Sequence, residues 1–162
     1  MFWQRIKTII LRAVLSLTLI LSSLAVAGAA GEQVGFGVIV GEPTGLSAKY
    51  LINRESAIDL AVAWNLSGDN DFTLHSDFLW HLYGLFKIGR VDMPLYFGVG
   101  GRIELRESRR DKVGIRLPVG VSYRFEDPQF LELFVETAPI LDLTPDTKMD
   151  LNIGTGARIF FF

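Results

Sequence analysis

An apolar pattern of period two, which runs from about residue 33 to the end, constrains this chain more than any other feature. Within residues 113–125 every odd position is apolar, whereas the even positions hold Gly, Ser, Pro and Arg. A β-strand places successive side chains on opposite faces, so the pattern predicts strands that separate two very different environments. After residue 30 no apolar run approaches the ~20 residues that a membrane-spanning helix needs. The sequence therefore predicts an all-β domain.

Seven further segments repeat this alternation, and clusters of turn-forming residues separate them. The turns are expected at residues 41–45, 53–56, 67–70, 126–128 and 144–146. The resulting count is about eight strands of roughly 9–12 residues, the length that a tilted strand needs to cross a bilayer. An even number of strands returns both ends of the chain to the same side of a membrane.

The first 29 residues have the pattern of an export signal rather than of a strand. Three basic residues precede or begin an apolar stretch at residues 13–27, and small residues end that stretch. This order is typical of a helical signal peptide that is cleaved, and cleavage after Ala27 and after Ala29 fits equally well. An uncleaved helical anchor is the alternative. We predict a signal peptide at residues 1–29 and a β-barrel domain at residues 30–162.

Two classes of β-protein alternate in this way, and they differ in which face meets the solvent. In a soluble sandwich or lipocalin-like barrel the apolar face points inward, whereas in a membrane barrel it points toward lipid. Here the polar face is rich in Gly and Ala and carries charges of both signs, which suits a narrow, closed interior. A closed barrel also satisfies every backbone hydrogen bond within lipid. The sequence favours an eight-stranded antiparallel up-and-down transmembrane β-barrel.

The composition excludes several kinds of site. The chain has no cysteine, which excludes disulfides, thiolate metal sites and cysteine nucleophiles. Its net charge is −2, which gives no indication of a nucleic-acid partner. We expect neither a cofactor nor bound nucleic acid.

The end of the chain and two internal segments resemble known outer-membrane barrels. The aromatic ending at Phe160 and Phe162 resembles the C-terminal signal by which the outer-membrane assembly machinery recognises its barrels. Overall the chain is similar to small eight-stranded barrels such as the OmpA membrane domain and OmpX. Residues 41–50 and 57–64 resemble more closely an uncharacterised family of small outer-membrane barrels from spirochaetes and other bacteria.

This resemblance implies a location and a set of partners, but no activity. The location is the outer membrane of a Gram-negative-type envelope, reached through the cleaved signal peptide. The implied partners are outer-membrane lipid, lipopolysaccharide and the barrel assembly machinery, together with an extracellular ligand of unknown nature.

The last strand contains a conflict of parity. In the usual terminal signal, the final Phe and every second residue before it face lipid, which would place Arg158 in lipid as well. A lipid-facing arginine costs ~2–4 kcal/mol at the bilayer midplane. We therefore predict that Arg158 points inward and that a local irregularity lets Phe162 face outward.

The inward faces of the strands predict an ion-pair network in the lumen. Its predicted members are Lys49, Asp59, Asp77, Arg102, Glu104, Arg116, Arg124, Glu132, Glu136 and Arg158. Folding of the hairpins predicts four contacts, namely Arg124 with Glu132, Arg158 with Glu136, Arg116 with Glu104 and Arg102, and Lys49 diagonally with Asp59. In a barrel of about eight strands, side chains fill the interior. A structural plug is therefore favoured over the alternative, a gated polar pathway.

Aromatic residues near the ends of the outward faces predict two girdles at the bilayer surfaces. Those expected at the periplasmic rim are Tyr50, Trp80, Phe97, Tyr123 and Phe125, and those expected at the outer rim are Trp64 and Phe72.

His75, Asp77 and His81 share one inward strand face and are the best candidates for chemistry. A metal site would need a further ligand from a neighbouring strand, and Ser76 would face away from both histidines. We therefore predict neither a metal site nor catalysis. The longest connection, residues 83–93, falls on the periplasmic side, and one interpretation is an amphipathic segment at the inner rim.

Three functions remain open from the sequence. The first and favoured one is a non-enzymatic outer-membrane barrel with a structural or surface-interaction role. The second is a narrow pore for small solutes or ions, and the third is a lipid-modifying enzyme that uses the face of His75 and His81.

Overall fold

The structure is a computed structural model that describes residues 34–42, 44–64, 71–89, 91–106, 110–125 and 130–161. The predicted signal peptide and its cleavage sites lie outside the described residues, as does Phe162. Among the described residues, no helix is long and apolar enough to cross a bilayer.

Eight antiparallel strands in the described part of the chain form the main sheet. They are β1 (Val34–Glu42), β2 (Thr44–Leu51), β3 (Ser56–Trp64), β4 (Phe72–Leu82), β5 (Leu95–Leu105), β6 in two segments (Lys112–Arg116 and Val119–Arg124), β7 (Leu131–Thr144) and β8 (Lys148–Phe161). Each strand pairs with the next one along the chain, and β8 pairs with β1. The sheet therefore closes into an up-and-down barrel, as the sequence predicts.

The two segments of β6 act as one strand, because both pair with β5 and with β7. They are separated at Pro118, which has no N–H to donate. Backbone bonds continue across the break: Leu117 N–H donates to the Pro139 carbonyl oxygen (3.0 Å), and Gly98 N–H donates to the Pro118 carbonyl oxygen (2.8 Å). The interruption therefore does not open the barrel.

Polarity is inverted relative to a water-soluble barrel. Val38 and Leu133 on the outer face are 49% and 43% exposed, whereas Lys49 and Arg158 on the inner face are each 1% exposed. The same alternation of exposed apolar and buried polar residues runs along β4 and β7. The lipocalin-like alternative is wrong, because the bulky apolar face lies outside and the charged face lies inside.

Glycine makes the interior narrow enough for charged side chains to meet across it. Gly100 lies against the Asp77 carboxylate and the Ser76 backbone, and Gly156 lies against the Phe134 ring, with no room for a Cβ at either position. Strand β1 contributes no charged residue to the interior between Gly35 and Ile39. The long side chains of the opposite wall occupy the space that these small residues leave.

We call the end of the barrel that contains Val34 and Phe161 the lower end, and the opposite end the upper end. Near the lower end, Ala57, Leu79 and Tyr96 form a buried apolar cluster, and Leu51 packs against it. This cluster fills part of the interior near the lower end.

Candidate functional site

Arg158 on β8 connects three strands across the lumen. Its Nη2 donates to both carboxylate oxygens of Asp59 (2.7 and 2.9 Å), and its Nη1 donates to Glu132 Oε1 (3.0 Å). Its Nε donates to Ser47 Oγ (2.8 Å), and its guanidinium lies 3.8 Å from the centroid of the Phe134 ring. Arg158 is thus paired with two acids and packed on an aromatic face, as a fully buried cation requires.

Arg116 on β6 makes a second set of contacts. Its guanidinium donates to Asp77 on β4 and to Glu136 on β7. The Tyr96 hydroxyl donates to the other oxygen of the Glu136 carboxylate at 3.0 Å. Both Glu136 oxygens are therefore bound, one by a cation and one by a hydroxyl group.

Lys49 on β2 links these two sets. Its Nζ lies 3.1 Å from Glu132 Oε2, and it lies 5.4 Å from the centroid of the Tyr96 ring. Seven of the eight strands thus contribute to one buried assembly, which we call the central network. Its members are Ser47, Lys49, Asp59, Asp77, Tyr96, Arg116, Glu132, Glu136 and Arg158.

A second assembly, the mouth cluster, lies near the upper end and consists of Arg102, Glu104, Arg106, Lys112, Asp142 and Asp150. Arg102 Nη2 donates to Asp142 Oδ1 (2.6 Å) and to Asp150 Oδ2 (2.9 Å). Lys112 Nζ lies 3.3 Å from Asp142 Oδ2. The side chain of Asp142 is 2% exposed and that of Asp150 is 40% exposed, so the cluster extends from the interior to the rim.

Two of the partner predictions are wrong. Arg158 lies opposite Glu132 rather than Glu136, because the β7–β8 ladder continues to the pair Asp142–Lys148 and thus shifts the register by four residues. Arg116 lies opposite Gly100 and contacts neither Glu104 nor Arg102, because the β5–β6 ladder pairs Glu104 with Lys112 instead.

The remaining predicted pairs are close to their expected places. Arg124 lies opposite Glu132, and its guanidinium is 4.4 Å from the centroid of the Phe160 ring. Lys49 lies directly opposite Asp59 instead of diagonally, and its ammonium group binds Glu132 across the lumen.

Six residues of the two assemblies were missed from the sequence, namely Ser47, Tyr96, Arg106, Lys112, Asp142 and Asp150. Asp142 and Asp150 have the same even-numbered parity as the inward residues Glu132 and Arg158. That parity is the signal in the sequence that could have identified these two acids.

His75, Asp77 and Asp59 form a buried group whose potential ligand atoms all lie within 4.8 Å of one another. Asp59 lies directly opposite Asp77 on the neighbouring strand, and it is the further ligand that a metal site at His75 and Asp77 would need. However, Arg158 and Arg116 already bind the two carboxylates, and two guanidinium groups so close disfavour a divalent cation. We assign these acids to the ion-pair network, and the absence of a metal site stays a prediction.

The catalytic arrangement considered for the histidines does not form around Ser76. Ser76 is exposed on the outer face, whereas His75 and His81 are buried inside. His75 Nε2 lies 3.9 Å from Asp77 Oδ2, and the His81 ring packs against Tyr96 with centroids 5.7 Å apart. Ser76 is therefore on the wrong side of the sheet to be activated by either histidine.

All seven residues of the predicted aromatic girdles lie on the outer face. Trp64 and Phe72 are opposite each other near the upper end. Near the lower end, the rings of Trp80 and Phe97 stack at 5.6 Å. The other three are half-exposed, and they are Tyr50, Tyr123 and Phe125.

The predicted irregularity in the last strand is wrong over the described residues. The β1–β8 ladder continues without a shift to the pair Val34–Phe161. Phe160 therefore points inward and is 1% exposed, whereas Phe161 points outward and is 55% exposed. The inward position of Arg158 fixes this parity, so Phe160 cannot be a lipid-facing part of an assembly signal.

Comparison with solved structures shows the fold. The N-terminal β-barrel domain of Pseudomonas aeruginosa OprF matches with a TM-score of 0.63 and 13% sequence identity, over 80% of this chain and 98% of that domain. Neisserial surface protein A matches with a TM-score of 0.49 and 15% identity, over 80% of this chain and 94% of that one. No protein-family model and no curated protein sequence matches the chain. The chain has the closed eight-stranded fold of small outer-membrane β-barrels.

Proposed function

We propose that this chain is an integral outer-membrane protein with a structural role, and that buried ion pairs block the lumen of its barrel. The observation that carries this proposal is the inverted polarity of the barrel. Large apolar side chains cover its outer face, and nine charged residues of the two networks are no more than about a twentieth exposed. These are Lys49, Asp59, Asp77, Arg102, Arg116, Glu132, Glu136, Asp142 and Arg158.

The outer face supports contact with lipid rather than water. Soluble monomers rarely expose a continuous apolar patch larger than ~300–600 Å². Here exposed apolar side chains occur on all eight strands and surround the barrel. Strands β4 and β5 have 11 residues each, which at a tilt of ~45° matches the ~25 Å apolar band of an outer-membrane barrel.

Three observations support the outer membrane as the location. Closed antiparallel barrels with an even number of strands are typical of that membrane. The fold is shared with the OprF barrel domain, and the sequence begins with the pattern of an export signal. We propose that the lower end faces the periplasm, that the outer face contacts lipid and lipopolysaccharide, and that the assembly machinery inserts the barrel.

The interior supports a structural role rather than transport. The central network connects seven strands, and its member Tyr96 also packs with Ala57 and Leu79 in the buried apolar cluster near the lower end. A solute would have to break several buried ion pairs to pass. We propose that the protein does not conduct ions at rest and that it is not an enzyme.

A narrow pore is the second candidate, because charged side chains extend from the rim to the middle of the lumen. Asp150 at the rim shares Arg102 with the buried Asp142. Rearrangement of these ion pairs could open a polar path, in which case planar bilayers containing the protein would show step-like currents.

Membrane fractionation together with electrophoresis in mild detergent tests the main proposal. The protein should fractionate with the outer membrane and should migrate faster before boiling than after it, because a closed barrel resists unfolding in detergent. Recovery as a water-soluble protein would refute membrane insertion. Reproducible step-like currents from purified protein would instead refute the closed lumen and favour the pore.

A further inference from the structure

The connection between β4 and β5 contains a short hairpin outside the barrel wall. Lys87–Ile88 pairs with Val91–Asp92, and Met93 N–H donates to the Phe86 carbonyl oxygen at 2.9 Å. Gly89 near the tip has a φ of +64°, a conformation that favours glycine. This hairpin, which we define by the described residues 86–89 and 91–93, is the only sheet in the described part of the chain that does not belong to the barrel.

The hairpin has two chemically different faces. Its register places Phe86, Ile88, Val91 and Met93 on one face, while Lys87 and Asp92 lie on the other. Ile88 is 62% exposed, Phe86 45% and Val91 38%. Its apolar face is therefore open to whatever surrounds the lower end of the barrel.

The base of the hairpin is attached to the barrel by polar contacts. Gly84 N–H donates to both carboxylate oxygens of Asp92 (3.0 and 3.1 Å). The Tyr83 hydroxyl donates to the Arg54 carbonyl oxygen (2.9 Å), and the Arg54 guanidinium lies 4.9 Å from the Tyr83 ring centroid. Burial raises the pKa of the Tyr83 phenol, so this hydroxyl stays a donor at neutral pH. These contacts hold the hairpin in a defined place at the lower rim.

Exposed apolar residues run along the chain from the outer face of the barrel into the hairpin. Outward positions are even-numbered on β4 and odd-numbered on β5. Exposed apolar side chains follow the end of β4 into the hairpin, since Leu82, Tyr83, Leu85, Phe86 and Ile88 are each between 39% and 68% exposed. The eleven residues of β4 already span a belt of ~25 Å at a tilt of ~45°, so the hairpin begins at the bilayer surface.

We propose that the hairpin is a lipid anchor, which lies in the headgroup layer of the inner leaflet with Phe86, Ile88 and Val91 toward the acyl chains. This inference rests on the proposed function, since it takes the barrel to be inserted in a bilayer. An amphipathic element binds an interface by burying its apolar face and leaving its charged face in water. Lipid is the occupant because exposed apolar side chains run along the chain from the wall that lipid covers into the hairpin.

Quenching of tryptophan fluorescence by brominated phospholipids tests the anchor. The full chain is reconstituted into phosphatidylcholine vesicles with bromines at mid-chain or near the headgroup. The first single-tryptophan variant keeps Trp80 on the barrel wall and carries Trp3→Phe and Trp64→Phe. In two others Trp80 is also replaced by Phe, and the tryptophan is introduced as Ile88→Trp on the apolar face or Lys87→Trp on the charged face.

The proposal expects the Ile88→Trp variant to be quenched by shallow bromines at least half as strongly as the Trp80 variant. The Lys87→Trp variant should be quenched mainly by aqueous acrylamide. Equal quenching of the two hairpin variants would overturn the anchor. Membrane insertion would still stand in that case, provided that Trp80 is quenched by the brominated lipids. Failure to quench Trp80 would overturn insertion itself, and with it the anchor.

Two further results keep the test decisive. If the Ile88→Trp variant is shielded from both bromine and acrylamide, a second copy or another protein covers the face, and the lipid assignment is wrong. If that variant does not fold, as judged by its mobility before boiling, Val91→Trp on the same face takes its place with the same two outcomes.

Discussion

Asp59 and Asp77 lie directly opposite each other on β3 and β4, and each is bound by an arginine from another part of the barrel. Like charges on neighbouring strands are unfavourable unless cations compensate them. Arg158 binds the Asp59 carboxylate and Arg116 binds the Asp77 carboxylate. The arginines that compensate these two acids lie on β6 and β8, far away along the chain. Compensation of the two negative charges therefore depends on closure of the barrel.

Replacement of Arg158 should destabilise the barrel strongly. Arg158→Met keeps most of the side-chain volume but leaves Asp59 and Glu132 without their shared cation, and loss of one partner of a buried ion pair costs ~3–5 kcal/mol. The measurement is urea-induced unfolding in detergent micelles, followed by tryptophan fluorescence. Lys148→Met is the matched control, because Lys148 is exposed on the same strand and should change stability by less than ~0.5 kcal/mol. Equal effects of the two substitutions would contradict the central network.

Two neighbouring glycines should respond very differently to the addition of a methyl group. Gly100 faces the lumen with no room for a Cβ beside Asp77, whereas a Cβ at Gly101 meets nothing closer than 4.0 Å. Gly100→Ala forces the Asp77 carboxylate away from its place and should cost ~1–3 kcal/mol, as overpacking does. Gly101→Ala should be neutral or slightly stabilising. Unfolding midpoints in urea compare the two, and a larger loss for Gly101→Ala would show that the faces of β5 are assigned the wrong way round.

The two acids that share Arg102 should differ in their contribution to stability. The side chain of Asp142 is 2% exposed and that of Asp150 is 40% exposed. A solvent-exposed ion pair contributes ~0.2–1 kcal/mol and weakens as salt is added, whereas a buried pair is little screened. Asp142→Asn should therefore lower the unfolding free energy more than Asp150→Asn, and only the effect of Asp150→Asn should disappear in 1 M salt. Equal effects that both disappear in salt would mean that water reaches the whole mouth cluster.

The period-two pattern was sufficient to predict the fold, because it depends only on which face of each strand is apolar. The inward position of Arg158 followed from the cost of a lipid-facing charge and could be predicted without any knowledge of its partners. Its partner could not be predicted, since the register between β7 and β8 depends on where the turn closes. Because the observed β7–β8 register differs from the expected one by four residues, Arg158 lies opposite Glu132 instead of Glu136.

Contacts across the lumen were beyond sequence reasoning for a related reason. Hairpin register gives the neighbours of a residue within the sheet. Arg116 contacts Glu136 on the neighbouring strand β7, but it also contacts Asp77 on β4, a strand that does not pair with β6. Such contacts depend on the curvature of the whole barrel and on the small residues that leave space inside it. The sequence thus predicts most of the charged residues that form the two assemblies but not which of them meet.

The corrected register of β7 and β8 can be tested directly, because the chain has no cysteine of its own. Thr137 and Ile153 are opposite each other on the outer face, whereas the register first expected from the sequence would pair Thr137 with Ala157. Opposite residues of an antiparallel pair have Cα atoms ~4.5–5.5 Å apart, within the range that a disulfide spans. The double variant Thr137→Cys with Ile153→Cys should therefore oxidise to an intramolecular disulfide, which mass spectrometry of tryptic peptides detects. Thr137→Cys with Ala157→Cys should stay reduced under the same conditions, since four residues along a strand separate the two sites by ~13 Å. The opposite result would restore Glu136 as the partner of Arg158 and would remove the geometric basis of the central network.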